Sequence, residues 1–126
     1  MHKAKAKITY YNDYCVAYCE QSIADYYFSL IPKYYNVQKQ AWPPHITVVR
    51  RAIETPKNQQ FWKKHDGQEV EFQYTSEVHT CGLYFWLNVI SEDISLIREE
   101  LGLSRYRELF SSYHLTLGNR KILTII

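Results

Sequence analysis

Five segments of this chain carry the residue pattern of β-strands, and that pattern constrains the fold more than any other feature. Each alternates its side chains between two faces or concentrates β-branched and aromatic residues. Turn-forming residues or helix-like stretches separate them. An α+β fold is therefore expected. The five segments are residues 5–12, 45–50, 68–75, 83–90 and 113–117.

Three stretches between these segments have helical character. The first helix is expected over residues 20–31, where apolar residues recur at helical spacing until Pro32 interrupts the pattern. A second helix is expected to begin after Ser91, a residue type that caps helices, and to stop at Gly102. A shorter helix is expected over residues 58–64.

The two halves of the chain are similar in organisation. Each supplies strands, a helix and one strand with a His-x-Thr triplet, as a diverged duplication of an αβ unit would. No low-complexity linker separates the halves. Residues 1–126 are therefore expected to form a single domain of two lobes, whose motif strands meet near a central groove.

Length and composition narrow the possible functions. A chain of 126 residues with 46% hydrophobic content can bury a core without a metal or a disulfide, and its three cysteines form neither a zinc pattern nor an even set. The net charge of +2 is too small for a surface that binds duplex DNA, although a compact anion is compatible with it. No stretch is long enough to span a membrane. We expect a cytoplasmic protein with reduced thiols. We expect it to be a monomer or a small homo-oligomer.

The two triplets are His45-Ile46-Thr47 and His114-Leu115-Thr116. Residues i and i+2 of a strand share a face, so each triplet presents one imidazole and one hydroxyl together, with apolar residues behind them. By residue statistics alone such a pair is a weak signal. Its context strengthens it, because both triplets lie on expected strands, one in each half, and His2, His65 and His79 have no such setting.

Paired imidazoles suit proton transfer at a phosphoryl group. One neutral ring takes a proton from the nucleophile while the other, protonated, gives one to the leaving oxygen. The hydroxyls of Thr47 and Thr116 can donate hydrogen bonds to non-bridging oxygens. Neither step needs a metal or an organic cofactor, and the sequence offers no ligand set for a catalytic ion. The candidate catalytic residues are His45, Thr47, His114 and Thr116.

With these motifs the chain resembles the 2H phosphoesterase superfamily over nearly its whole length. Within that superfamily, residues 44–50 and 113–119, with 69 residues from histidine to histidine, resemble the phage anti-CBASS nucleases. The resemblance implies a bilobal fold of two pseudo-symmetric antiparallel-sheet lobes with outer helices. It also implies a phage counter-defence enzyme that cleaves the 3′,5′ linkages of cyclic di- and trinucleotide immune messengers by attack of a ribose 2′-hydroxyl.

Aromatic residues make up 16% of the chain and are candidates for stacking on the bases of such a ligand. Alternation puts Tyr84 and Trp86 on the polar face of their strand, and Tyr11 on the corresponding face of the first strand. These three are the candidate base contacts. Arg50, with Lys7, is a candidate phosphate contact, whereas Trp42 and Trp62 are expected to anchor the core or a loop.

Two alternative functions remain open at the level of sequence. The same motifs fit an RNA 2′,3′-cyclic phosphodiesterase or ligase-like enzyme that acts on terminal cyclic phosphates. They also fit a catalytically dead protein that sequesters the nucleotide. Neither base preference nor the order of base and acid follows from the sequence.

Overall fold

The structure is a computed structural model that describes residues 1–106 and 112–120. These residues form seven strands, two α-helices and two short 3₁₀ turns, Lys33–Tyr35 and Gln59–Phe61. The helices are α1 (Gln21–Ser29) and α2 (Glu92–Glu100). The strands are β1 (His2–Tyr10), β2 (Cys15–Cys19), β3 (Val37–Lys39), β4 (His45–Val49), β5 (Glu69–Thr80), β6 (Tyr84–Ile90) and β7 (Tyr113–Arg120).

All seven strands belong to one antiparallel sheet that closes on itself. The order is β3-β7-β4-β2-β1-β5-β6, and β7 also pairs with β6. Six strands therefore form a closed barrel, and β3 lies outside it on β7. The outer pairing depends on Gly118, because a Cβ atom there would lie 2.3 Å from the carbonyl oxygen of Gln38 on β3.

The expected bilobal arrangement of two pseudo-symmetric sheets is wrong. Strands from the two halves interleave: β1 pairs with β5, and β4 pairs with β7. These contacts join the halves through backbone hydrogen bonds, so no cleft separates two lobes. Alternation in the sequence fixes which face of a strand is apolar, but it does not specify which strand lies beside it.

The individual elements agree more closely with expectation. Both main helices lie where the sequence places them, and the side chain of Ser91 accepts a hydrogen bond from the N–H of Ile94 at the start of α2. The expected helix over 58–64 is only the 3₁₀ turn Gln59–Phe61. Two strands, β2 and β3, were not expected, and β5 extends five residues beyond its expected end.

One hydrophobic core contains the inward side chains of the strands and the buried faces of both helices. Ile46, Val48, Leu115 and Leu117 are at most 2% exposed, so the apolar positions beside both His-x-Thr pairs point inward. The histidines and threonines therefore lie on the outer face of the barrel wall. None of the helices in the described ranges has the length and apolar character needed to cross a membrane.

Candidate active site

The two motif strands are direct neighbours in the barrel. Ile46 of β4 pairs with Leu115 of β7. Antiparallel alternation around this pair places Thr47 across from His114, and His45 across from Thr116. Side chains directly opposite have Cβ atoms about 4.5–5.5 Å apart, and diagonal ones about 7–8 Å. The imidazoles thus lie on a diagonal across the two strands.

All four motif side chains line one depression of about 390 Å³ on this outer face. The described lining residues include no carboxylate, and their polar groups are imidazoles, hydroxyls, a thiol and the indole N–H of Trp86. Such a surface suits an anionic ligand because no fixed negative charge opposes it. The lining residues are His45, Thr47, Cys81, Tyr84, Trp86, His114 and Thr116.

His45 is held by the backbone that leads into its own strand. Its Nδ1 lies 2.8 Å from the carbonyl oxygen of Pro43. A carbonyl can only accept, so Nδ1 carries the proton and donates it to Pro43. In the neutral ring, Nε2 is then the nitrogen with a free lone pair. The stiff Pro43-Pro44 step therefore sets both the orientation and the tautomer of His45.

His114 is held by aromatic stacking. Its ring lies on the indole of Trp86, with centroids 4.9 Å apart and planes 29° apart. The ring of His79 stacks on the same indole from β5, at 6.2 Å and 22°. Because β5 and β7 flank β6 on opposite sides, the two imidazoles cover both faces of Trp86. An indole face can stabilise a cation that lies against it.

Asn88 links the members of this stack. The indole Nε1–H of Trp86 donates to Oδ1 of Asn88 at 3.0 Å, which fixes the orientation of the amide. Nδ2 of Asn88 must then donate to Nε2 of His79, 3.1 Å away. These directed bonds immobilise Trp86, and through it the ring of His114. We refer to His79, Trp86 and Asn88 as the stacking network.

The three predicted base contacts, Tyr84, Trp86 and Tyr11, differ in whether they line the depression and are open to a ligand. Tyr84 lines the depression and is 49% exposed, so its ring is open to a ligand. Trp86 also lines it, but both of its faces are covered. Tyr11 does not line it. Its hydroxyl bonds to that of Tyr18 at 2.5 Å, which raises the pKa of Tyr18 to about 12, and the ring of Tyr18 meets that of His45 edge-on.

The predicted phosphate contacts do not reach the depression. Arg50 lies beyond the end of β4, where its Nε is 3.4 Å from a carboxylate oxygen of Glu54. That carboxylate also accepts two hydrogen bonds from the buried guanidinium of Arg98. Lys7 is exposed on β1, opposite Tyr18. Neither cation is among the lining residues.

Sequence reasoning missed three residues of the site. Cys81 lies at its rim, where the N–H groups of Tyr84 and Leu83 lower the pKa of the thiol. Asn88 and His79 complete the stacking network. Asn88 was visible on the same strand face as Trp86, but the role of His79 depends on the pairing of β5 with β6, which no local pattern reveals.

The two remaining tryptophans differ. Trp62 anchors the core as expected, because its ring meets Tyr10 edge-on at 5.0 Å and its Nε1–H donates to the carbonyl of Tyr11. Trp42 does not, because it is 72% exposed. Trp42, expected to anchor the core or a loop, is therefore not a core anchor.

Among the described residues, no group of three or more His, Cys, Asp or Glu side chains is arranged to hold a metal ion. Comparison with protein-family models, curated proteins and solved structures finds no match for this chain. We therefore infer function from the geometry and chemistry of the depression itself.

Proposed function

We propose that this protein is a phosphodiesterase that opens cyclic di- or trinucleotides without a metal. One observation carries the proposal: two imidazoles and two threonine hydroxyls line the same depression on adjacent strands. Two proton-transfer groups beside two hydrogen-bond donors match the needs of phosphoryl transfer, in which protons move at both ends while charge develops on the non-bridging oxygens.

The surroundings of the two histidines support different roles. His45 presents a free Nε2 lone pair because its Nδ1 donates to Pro43, so we assign it as the general base. His114 lies against an indole face that stabilises positive charge, so we assign it as the general acid. Thr47 and Thr116 donate hydrogen bonds to the non-bridging phosphoryl oxygens.

The reaction follows from these roles. His45 removes the proton of a ribose 2′-hydroxyl, and O2′ attacks the adjacent phosphorus. The bond from phosphorus to O5′ of the next nucleotide breaks, and His114 delivers a proton to that oxygen. The products of this step are one linear chain with a 2′,3′-cyclic phosphate at one end and a 5′-hydroxyl at the other. Water is not consumed.

We retain the motif resemblance to the 2H phosphoesterases but not their bilobal fold. Within that resemblance, the substrates are the cyclic nucleotide messengers of bacterial antiphage defence, and the protein acts in the cytoplasm where the messenger is made. Tyr84 has an exposed ring in the depression, which supports a role in stacking on a base.

A substrate panel in excess EDTA tests the proposal. The protein is incubated with a cyclic diribonucleotide, its 2′-deoxy analogue and 2′,3′-cyclic mononucleotides. We expect only the cyclic diribonucleotide to be opened, since the reaction needs a 2′-hydroxyl beside a 3′,5′ linkage. Turnover of the 2′,3′-cyclic mononucleotides alone would favour the RNA-end enzyme. Recovery of intact cyclic dinucleotide from a stable complex would favour a sequestering protein.

Replacing Trp86 distinguishes its two possible roles. Trp86→Leu removes the surface on which His114 stacks, so we expect kcat for the cyclic dinucleotide to fall by at least about tenfold, with KM little changed. Trp86→Phe keeps a flat ring and should retain more activity. If Trp86 were mainly a base platform, Trp86→Leu would instead raise KM and leave kcat near the wild-type value.

A further inference from the structure

An exposed tryptophan, Trp42, lies beside the catalytic depression. Trp86 is covered on both faces, and Trp62 is half-buried against Tyr10. Trp42, in contrast, is 72% exposed. Covering the large apolar ring of an indole is favourable. Its surroundings indicate what covers it.

Trp42 belongs to the segment that leads directly into the catalytic strand. The next residue, Pro43, accepts the hydrogen bond from His45. Between this segment and α1 lies a second, smaller depression, and Thr116 lines both this one and the catalytic one. The two depressions therefore meet at Thr116, and the smaller one, of about 10 Å³, has Trp42 in its wall.

The polar groups around Trp42 suit a nucleobase. Lys39 Nζ lies 3.1 Å from Asp25 Oδ1 in an exposed pair, and the amides of Gln21 and Gln40 also line the smaller depression. An ammonium, a carboxylate and amides together supply both donors and acceptors for the edge of a base. A flat aromatic ring supplies the stacking surface that every base can use.

We propose that Trp42 is a stacking platform for one base of a dinucleotide whose scissile phosphate lies between His45 and His114. This inference rests on the proposed function and extends it. Tyr84 lies within the catalytic depression and Trp42 beside it, so the site has one platform for each of two bases. The ligand class is a dinucleotide rather than a mononucleotide.

The test compares Trp42→Ala with Trp42→Phe and with Tyr34→Ala, which removes another exposed ring outside both depressions. Two substrates are used: a cyclic diribonucleotide, and 2-hydroxypropyl 4-nitrophenyl phosphate, which has the attacking hydroxyl but no base. We expect Trp42→Ala to raise KM for the dinucleotide about tenfold or more, with kcat within about twofold of wild type. The KM of Trp42→Phe for the dinucleotide should lie between the values for wild type and Trp42→Ala. The diester without a base should react at the same rate with every variant.

An unchanged KM for the dinucleotide in Trp42→Ala would overturn the platform and leave the proposed function intact. If the wild-type protein cleaves neither substrate, the proposed function fails, and calorimetric binding of the cyclic dinucleotide then tests the platform alone. Weaker binding by Trp42→Ala, with Tyr34→Ala like wild type, supports it. Equal binding by all variants, or no binding by the wild type, overturns it.

Discussion

Alanine at either His45 or His114 is expected to lower kcat/KM for a cyclic diribonucleotide by on the order of 10³-fold, within the range found for general acid–base groups. Both rings lie on the outer face of the wall, so neither change should alter the core or the circular dichroism spectrum. Because both rings act in one transition state, the double variant should lose little more than the worse single variant.

The dependence of the residual rate on pH separates the two roles. A general base must be neutral and a general acid protonated, so the wild-type profile of kcat/KM should be bell-shaped. His45→Ala should lose the acidic limb and His114→Ala the alkaline limb. His2→Ala is a suitable control, since His2 is exposed and bonds to Ser76 outside the depression. Wild-type rates in either motif variant would refute the mechanism.

Arg98→Met is expected to lower the free energy of unfolding by about 3–5 kcal/mol, measured by urea denaturation. Arg98 is fully buried on α2. Its guanidinium donates to both carboxylate oxygens of Glu54, at 2.9 and 2.6 Å, and to the carbonyls of Val48 and Ser104. Methionine fills a similar volume but leaves the carboxylate and both carbonyls without these donors.

Two further variants test whether the loss of stability in Arg98→Met comes from breaking its buried pair with Glu54. Adding Glu54→Met to Arg98→Met should recover part of the lost stability, because the carboxylate that has lost its Arg98 partner is removed. Arg105→Met is the matched control: Arg105 also pairs with two carboxylates, Glu92 and Glu99, but on the surface, so its loss should have little effect. If Arg98→Met unfolded at the same urea concentration as Arg105→Met, the buried pair would not be a main source of stability.

The same pair makes stability depend on pH. Burial raises the pKa of Glu54, but hydrogen bonds from Arg98 and from the N–H of Arg50 outweigh it, and the net pKa lies below the usual 4.5. Stabilisation from a carboxylate with a lowered pKa is complete above the unfolded value and is lost as the pH falls through the folded value. This acid sensitivity should be reduced in the variant that carries both Arg98→Met and Glu54→Met.

Local features of the fold could be predicted from the sequence, but the closure of the sheet into a barrel could not. The cap at Ser91 and the alternation around Ile46 and Leu115 depend on neighbours along the chain, so they could be identified in advance. The pairing of β1 with β5 and of β7 with both β4 and β6 depends on contacts between residues far apart in sequence. The last strand extends beyond its expected end at residue 117, and Gly118 lies inside β7, where it pairs with Lys39 of β3.

The candidate site, too, could be predicted from the sequence only in part. Alternation alone placed His45 with Thr47, and His114 with Thr116, on one face of each strand. That the two pairs meet depends on the register of β4 against β7, which the sequence does not encode locally. Trp86 was assigned to base stacking because only its own strand was visible. In the barrel, β5 and β7 flank β6, and the rings of His79 and His114 stack on the indole of Trp86.

In the proposed mechanism, two imidazoles move protons while a ribose hydroxyl attacks the phosphorus. One incubation of the protein with a cyclic diribonucleotide, in H₂¹⁸O with EDTA, tests it when the first product is separated and weighed by mass spectrometry. We expect a linear product with the same mass as the substrate and no ¹⁸O, since internal attack adds no water. A first product heavier by one molecule of labelled water would contradict it, as would dependence of turnover on an added metal ion.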